Sequence, residues 1–365
     1  MTGGRMPVTV LLGGDVMLGR GVDQILPRPG RPELREPWVH DARSYVEAAE
    51  RVNGPIPRPV AVDWPWGEVP RVLDDLAPDL RLLNLETAIT ADGDFDPDKG
   101  IHYRMHPGNI GALTAIAPSA CALGNNHALD FGRPGLLDTL DTLAGAHVQA
   151  VGAGRDLATA RTPAILPLSN GRRALVVSVG ARSSGVPRSW AAGADRPGLW
   201  WIDHPGARGA EEIAAELSAH RRTGDVLIVS VHWGPNWGYG ISRSEQEFAR
   251  RLIEAGVDIV HGHSAHHPRP IEVYRGKAIL YGCGDVIDDY EGIGGHESYR
   301  PELRLLYLVT VDGGTTVRML PLCVRRIQLR RAGSPETRWL RDRLADISAP
   351  FGTRVRLDED DLLTI

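Results

Sequence analysis

VTVLLGGD, residues 8–15, is a β-branched apolar run that ends in two glycines and an aspartate. The run is too short for a helix and is apolar at nearly every position. It therefore reads as a strand buried on both faces, followed by a tight loop at Gly13-Gly14. A carboxylate set at the end of a buried strand is the pattern to look for elsewhere.

It recurs along the chain. LRLLNLE (80–86) ends in Asn84 and Glu86, and SACALGN (119–125) leads into Asn125, Asn126 and His127. DVLIVSVHWG (225–234) ends in His232, and VDIVHG (257–262) opens onto HGHSAHH (261–267). That last stretch places four of the chain's 13 histidines in seven positions. In α/β sheets, ligands sit in the crevice beyond the carboxyl ends of the strands. Each residue has a plain alternative: Asp15 as a helix cap, Asn125 and Asn126 as turn residues, His127 as a bonded core histidine. Five separate strand ends all finishing in ligand-type side chains point instead to one metal centre. Mixed oxygen and imidazole ligands suit Mn²⁺, Fe²⁺ or Zn²⁺ better than Mg²⁺ or Ca²⁺.

Between these strands lie helical and hairpin signals. DARSYVEAAERV reads as a helix capped by Asp41; RPGLLDTLDTLAGA, GARGAEEIAAELSAHRRT and SEQEFARRLIEAG read as amphipathic helices. Hairpins are expected at Asn170-Gly171, at Arg275-Gly276 and within ELRLLYLVTVDGGTTVRMLPL. The pattern is one α/β domain over 1–330, two sheets packed together with helices outside, followed by a helix and tail over 331–365. A Pro/Arg-rich insertion at 27–62 reads as an ordered flap ending in an exposed DWPWG.

The chain has 365 residues, 42% hydrophobic and 24% charged, with a net charge of −5. That balance gives no reason to expect nucleic acid as a partner. Only Lys99 and Lys277 among the 41 basic residues are lysines. No window approaches the roughly 18 apolar residues of a membrane span. No membrane anchor is therefore expected, and with three sparse cysteines unpaired in sequence the expected address is the cytoplasm.

Together, GDVMLGRGVD, NLETAIT, LGNNHALDFG, VSVHWGPNWGY and GHSAHHPRPIEVYRGKAILYGCGD resemble the CapA/PgsA capsule-synthesis (poly-γ-glutamate) family of the calcineurin-like metallophosphoesterase superfamily. The resemblance runs from about residue 8 to about 322. It implies a four-layer α-β-β-α sandwich with one or two divalent metals at one end, held by Asp15, Glu86, Asn126, His232, His263 and His266. Asn84 is a weaker alternative to Glu86. His127 would be the acid near the leaving group, and His261 and His267 would be supporting residues, His261 pointing away from its sequence neighbours. Met17 stands where the superfamily usually has a histidine, so one metal position would lose a ligand.

The implied activity is metal-dependent hydrolysis of a phosphoester or related small molecule. The alternative is a non-hydrolytic protein handling or joining glutamate-like amides beside partner enzymes. Arg20, Arg104 and Trp233 are the expected substrate contacts, with Trp64, Trp66, Trp237 and Tyr239 as stacking or packing aromatics. Asp285, Asp288, Asp289 and Glu291 form an expected acidic rim.

Overall fold

The computed structural model describes residues 6–168 and 171–365. Two sheets dominate it. The larger runs, strand by strand, 356–357, 363–364, 315–324, 303–311, 8–16, 80–85, 120–122 and 149–151; 285–287 also pairs with 8–16, and 329–331 with 315–324. The smaller runs 201–202, 173–181, 226–232, 259–263, 277–280 and 271–274, with 164–167 beside 173–181.

Alternation along the strands builds the layers. Val10, Leu12, Leu80 and Leu82 of the first sheet meet Val176, Ile228 and Ile259 of the second in one buried cluster. Leu11, Leu83 and Leu85 face outward onto Val46, Leu73, Leu136 and Leu143 of the helices Arg43–Asn53, Val69–Leu76 and Gly132–Gly145. Val229, Val231 and Val260 face outward onto Ile213, Leu217, Phe248 and Leu252 of the helices Ala207–His220 and Arg243–Glu254. The result is the expected α-β-β-α order. Leu340 and Leu344 of the helix Ser334–Ser348 join the cluster between the sheets.

Several local expectations meet the structure directly. The hairpin at Arg275-Gly276 has both residues at positive φ (49° and 73°), the conformation of a two-residue I′ turn. Strands Ala164–Pro167 and Arg173–Ala181 pair antiparallel, although the turn residue Asn170 lies outside the described residues. The helix Arg43–Asn53 has Ala42 at its N-cap, one residue later than expected; Asp41 Oδ1 still accepts from the Arg43 N–H at 2.9 Å. DWPWG is not an exposed end. A short turn over Trp64–Trp66 points both rings inward, where Trp66 is fully buried and donates to Ala112 O, and Trp64 to Arg326 O.

The first strand differs from its reading. It does not stop at Gly13-Gly14 but continues to Val16, because the short strand Asp285–Ile287 pairs beside it. Gly13 faces Leu83 and Asp15 faces Asn84, so Gly14 is an extra residue in the ladder. Positions 10 and 12 face the inner cluster; without the extra residue, Asp15 would face outward. The bulge turns it inward.

Candidate metal centre

At the carboxyl ends of the strands the inner face changes character. Val226 and Ile228 give way to Ser230 and His232, Ile259 to His261 and His263, and Leu80 and Leu82 to Asn84 and Glu86. The same alternation that packs the core therefore carries these side chains into the gap between the sheets. Asp15 joins them through the bulge. At Gly14 a Cβ would lie 1.8 Å from Gly284 O, so only glycine lets the 285–287 strand come this close.

Ligand atoms of Asp15, His232 and His263 lie within 4.8 Å of one another, as do those of Asp15, His266 and Asp285. Asp15 belongs to both groups. Asn84 donates to Asp15 Oδ1 (2.7 Å) and, more weakly, to Glu86 Oε2 (3.4 Å); the backbone N–H of Ser264 donates to Asp15 Oδ2 (3.2 Å). Ser264 holds φ at 104°, an unusual backbone for serine that the loop maintains at the centre itself. His232 Nδ1 lies 2.7 Å from His263 Nδ1, and its Nε2 lies 2.8 Å from Asn126 Oδ1 and 3.9 Å from Glu86 Oε1. His263 and His261, two apart on one strand, both contact Ser230 Oγ (2.8 and 3.1 Å) and so share a face. His267 bonds the backbone of Pro268 and Gly238.

The electrostatics suit a cation. Burial, and then the neighbouring Asp285, push Asp15 up to about 7. Burial, then Asp15 and Asp285, hold Glu86 well above its ordinary range. Burial also drives His232 and His263 well below theirs, which keeps both imidazoles neutral. Neutral imidazoles beside buried carboxylates are the form in which the Asp15, His232 and His263 group binds a divalent ion, whereas Asp285, against the effect of burial, pulls His266 up. Among the described residues, Asp285 Oδ2 is buried with no hydrogen-bond partner, which is an open acceptor within the cluster. The residues therefore fit a divalent metal.

His127 stands beside this cluster. Its Nδ1 lies 2.6 Å from Asp130 Oδ2, and its Nε2 lies 3.7 Å from Glu86 Oε1. Burial lowers its pKa to about 4, against the opposing pull of Asp130. Lys99 pairs with Asp130, donates to Asn126 O and lies 3.2 Å from His127 Nδ1. Asn125 is structural: its amide donates to Asn84 Oδ1 and Leu85 O, and its Oδ1 accepts from the His127 N–H.

The three expected substrate contacts are not gathered here. Trp233 is corrected to a core residue: it is fully buried, packs on Phe248 and Tyr281, and donates to Tyr281 O at 2.9 Å. Following an inward His232, it must face outward. Arg20 is also corrected, since its buried guanidinium is committed to Asp289 and Glu36. It lies over the rings of Tyr45 and Tyr103, and Tyr103 packs edge-on against His127. Arg104 is half-buried over Phe131 (3.8 Å) and lines a separate surface pocket with Arg31, Arg35 and Phe95. Half-buried Trp237, by contrast, has its ring 5.5 Å from His266 and stacks on His296.

Sequence reasoning placed Asp285 in an acidic rim and passed over Lys99 and Asp130 as functional residues. Asp285 carried a signal: Gly284-Asp285 repeats the Gly14-Asp15 pair. Asp130 and Lys99 had none beyond the rarity of lysine.

A family model described as bacterial capsule synthesis protein PGA_cap matches residues 9–290. The family match spans the stretch that carries these residues. A probable polyglutamine synthesis accessory protein of Mycobacterium tuberculosis is 58% identical over 100% of this chain and 97% of its own length. The PGA biosynthesis protein CapA of Bacillus subtilis is 28% identical over 76% of this chain and 62% of its own. Among solved structures, TT1561 of Thermus thermophilus is similar at a TM-score of 0.39, with 12% identity over 84% of this chain and 99% of that one. The purple acid phosphatase PPD1 of yellow lupin is similar at 0.36, with 9% identity over 87% and 52%. Both scores are too low to carry an assignment.

Proposed function

We propose, for a chain that belongs to the bacterial capsule synthesis protein family PGA_cap, a divalent-metal-dependent hydrolase. Its substrate would be a phosphoester or related small molecule in polyglutamate-type biosynthesis, worked on beside partner enzymes. The observation that carries this is the pair of ligand groups sharing Asp15, set beside a histidine backed by a buried aspartate.

Asp15, His232 and His263 would hold one ion, and Asp15, His266 and Asp285 a second, with Glu86 and Asn126 in reach of His232. Divalent ions bound there supply Lewis acidity toward phosphoryl oxygens and lower the pKa of water. The chain's own residues do the rest. Asp130 fixes the His127 ring so that Nε2 faces the cluster, where a leaving oxygen would receive a proton. Burial and Lys99 oppose the imidazolium, and Asp130 favours it. An anionic substrate beside Nε2 would shift that balance toward the protonated acid. Trp237 is the aromatic best placed to touch a substrate. The proposed address is the cytoplasm, in keeping with three free, buried cysteines; among the described residues no helix is long and apolar enough to cross a membrane.

The test is metal content of protein purified without a histidine tag, followed by a phosphoester panel with and without chelator. Near two equivalents of Mn, Fe or Zn are expected, with hydrolysis lost on chelation. His127→Asn should lower kcat about 10²-fold or more while the metal stays bound. Failure to bind any metal after reconstitution sinks the reading.

A second reading is favoured by the similarity to the mycobacterial polyglutamine synthesis accessory protein: a non-hydrolytic accessory role in joining glutamate-like amides. It predicts product formation only with ATP or a partner synthetase.

A further inference from the structure

We infer that Asp285 is a metal ligand standing in for the side chain that Met17 cannot supply, and that it makes this half of the centre a site for a hard ion such as Mn²⁺. The inference rests on the metal-dependent reading above and deepens it.

Met17 is buried, and its sulfur lies 3.7 Å from the Tyr290 hydroxyl. A thioether is a poor ligand for hard or borderline divalent ions, so position 17 contributes nothing to such a site. The replacement arrives from a distant part of the chain. Asp15 and Asp285 are register partners on adjacent parallel strands, locked by the Asp15 N–H donating to Gly284 O at 2.9 Å. Register partners project to the same face, so the two carboxylates lie side by side in the gap between the sheets.

Two buried carboxylates with oxygens within 4.8 Å of each other are unfavourable unless a positive charge joins them. The protein supplies positive charge on the Asp285 side only, from His266 and, beyond it, Arg304. His266 Nδ1 meets Asp285 Oδ1 at 2.9 Å, while Asp285 Oδ2 is buried with no donor among the described residues. The adjacent acid, Asp288, is tied to Arg304 and is itself a carboxyl group. A 2.9 Å gap between Oδ1 and Nδ1 is also what two neighbouring ligands adopt about 2.1 Å from one ion.

The two halves then differ in chemistry. Asp15, Asp285 and His266 offer two carboxylates and one imidazole, whereas Asp15, His232 and His263 offer one carboxylate and two imidazoles. The oxygen-rich half suits Mn²⁺ and the nitrogen-rich half suits Zn²⁺.

The experiment uses the full-length, untagged protein, stripped of metal and dialysed against MnCl₂ or ZnCl₂. Bound metal is counted by mass spectrometry, and Mn²⁺ is followed by electron paramagnetic resonance. Wild type should take two equivalents. Asp285→Ala should take one, with Mn²⁺ affinity lowered more than about ten-fold and Zn²⁺ binding retained. Met17→His added to Asp285→Ala should restore the second equivalent. Asp285→Asn, which keeps the shape, serves if the alanine variant loses its native circular dichroism. A folded Asp285 variant that keeps both equivalents and its Mn²⁺ affinity overturns the inference and leaves the metal-dependent reading standing. Wild type that binds neither ion overturns both.

Discussion

Arg20 binds Asp289 and Glu36 from a position almost wholly removed from water, with the Tyr45 ring 3.8 Å from its guanidinium. A planar fork that can satisfy two carboxylates at once is what arginine offers and lysine does not. Its removal would strand two buried negative charges. Arg20→Met should therefore destabilise the fold by about 3–5 kcal/mol, read by urea denaturation. A loss below about 1 kcal/mol would mean the two acids find other partners. The sequence marks Arg20 as a planar anion-binding group five residues after Asp15, but not which anions it binds. Those come from 16 and 269 positions away along the chain. Trp233 is legible from period alone: alternation from Val231 through His232 turns it outward, into the layer under the helices.

The element that matters most is the end of the first strand. Its apolar run identifies it as a strand, yet the bulge at Gly14 depends on a neighbour 270 positions later, as in the Asp15–Asp285 pairing. Gly14→Ala would drive a Cβ into Gly284 O and push the 285–287 strand away. We expect a loss of about 1–3 kcal/mol together with weakened metal binding, measured by thermal melting and by Mn²⁺ titration of one preparation. Unchanged values for both would show that the strand pair tolerates the extra carbon. Long elements declared themselves through their period, as the Arg243–Glu254 helix did, with its Ser242–Glu245 capping box. The two-residue strands 356–357 and 363–364 carry no period to read and exist only because an edge of the first sheet accepts them.

At the scale of the whole molecule, the centre joins the two sheets: Asp15 and Glu86 come from one, His232 and His263 from the other. An ion held there binds the folded chain and not the unfolded one. Zn²⁺ at a hundred times its dissociation constant should add about 2.7 kcal/mol of stability, and chelation should remove it. The measurement is Tm with and without metal, beside His263→Ala, in which the shift should vanish. An equal shift in that variant would place the stabilising ion elsewhere.

By itself the sequence determined the strands, their apolar inner faces and the polar residues at their carboxyl ends, because all of these follow from side-chain type and a period of two along one segment. His232, His263 and Glu86 were legible for that reason. Only the tertiary structure decided that Asp285 lies against Asp15, that Lys99 and Asp130 flank His127, and that Arg20 is already satisfied. Each depends on which distant strands and loops meet, and in what register, and no local period encodes that pairing.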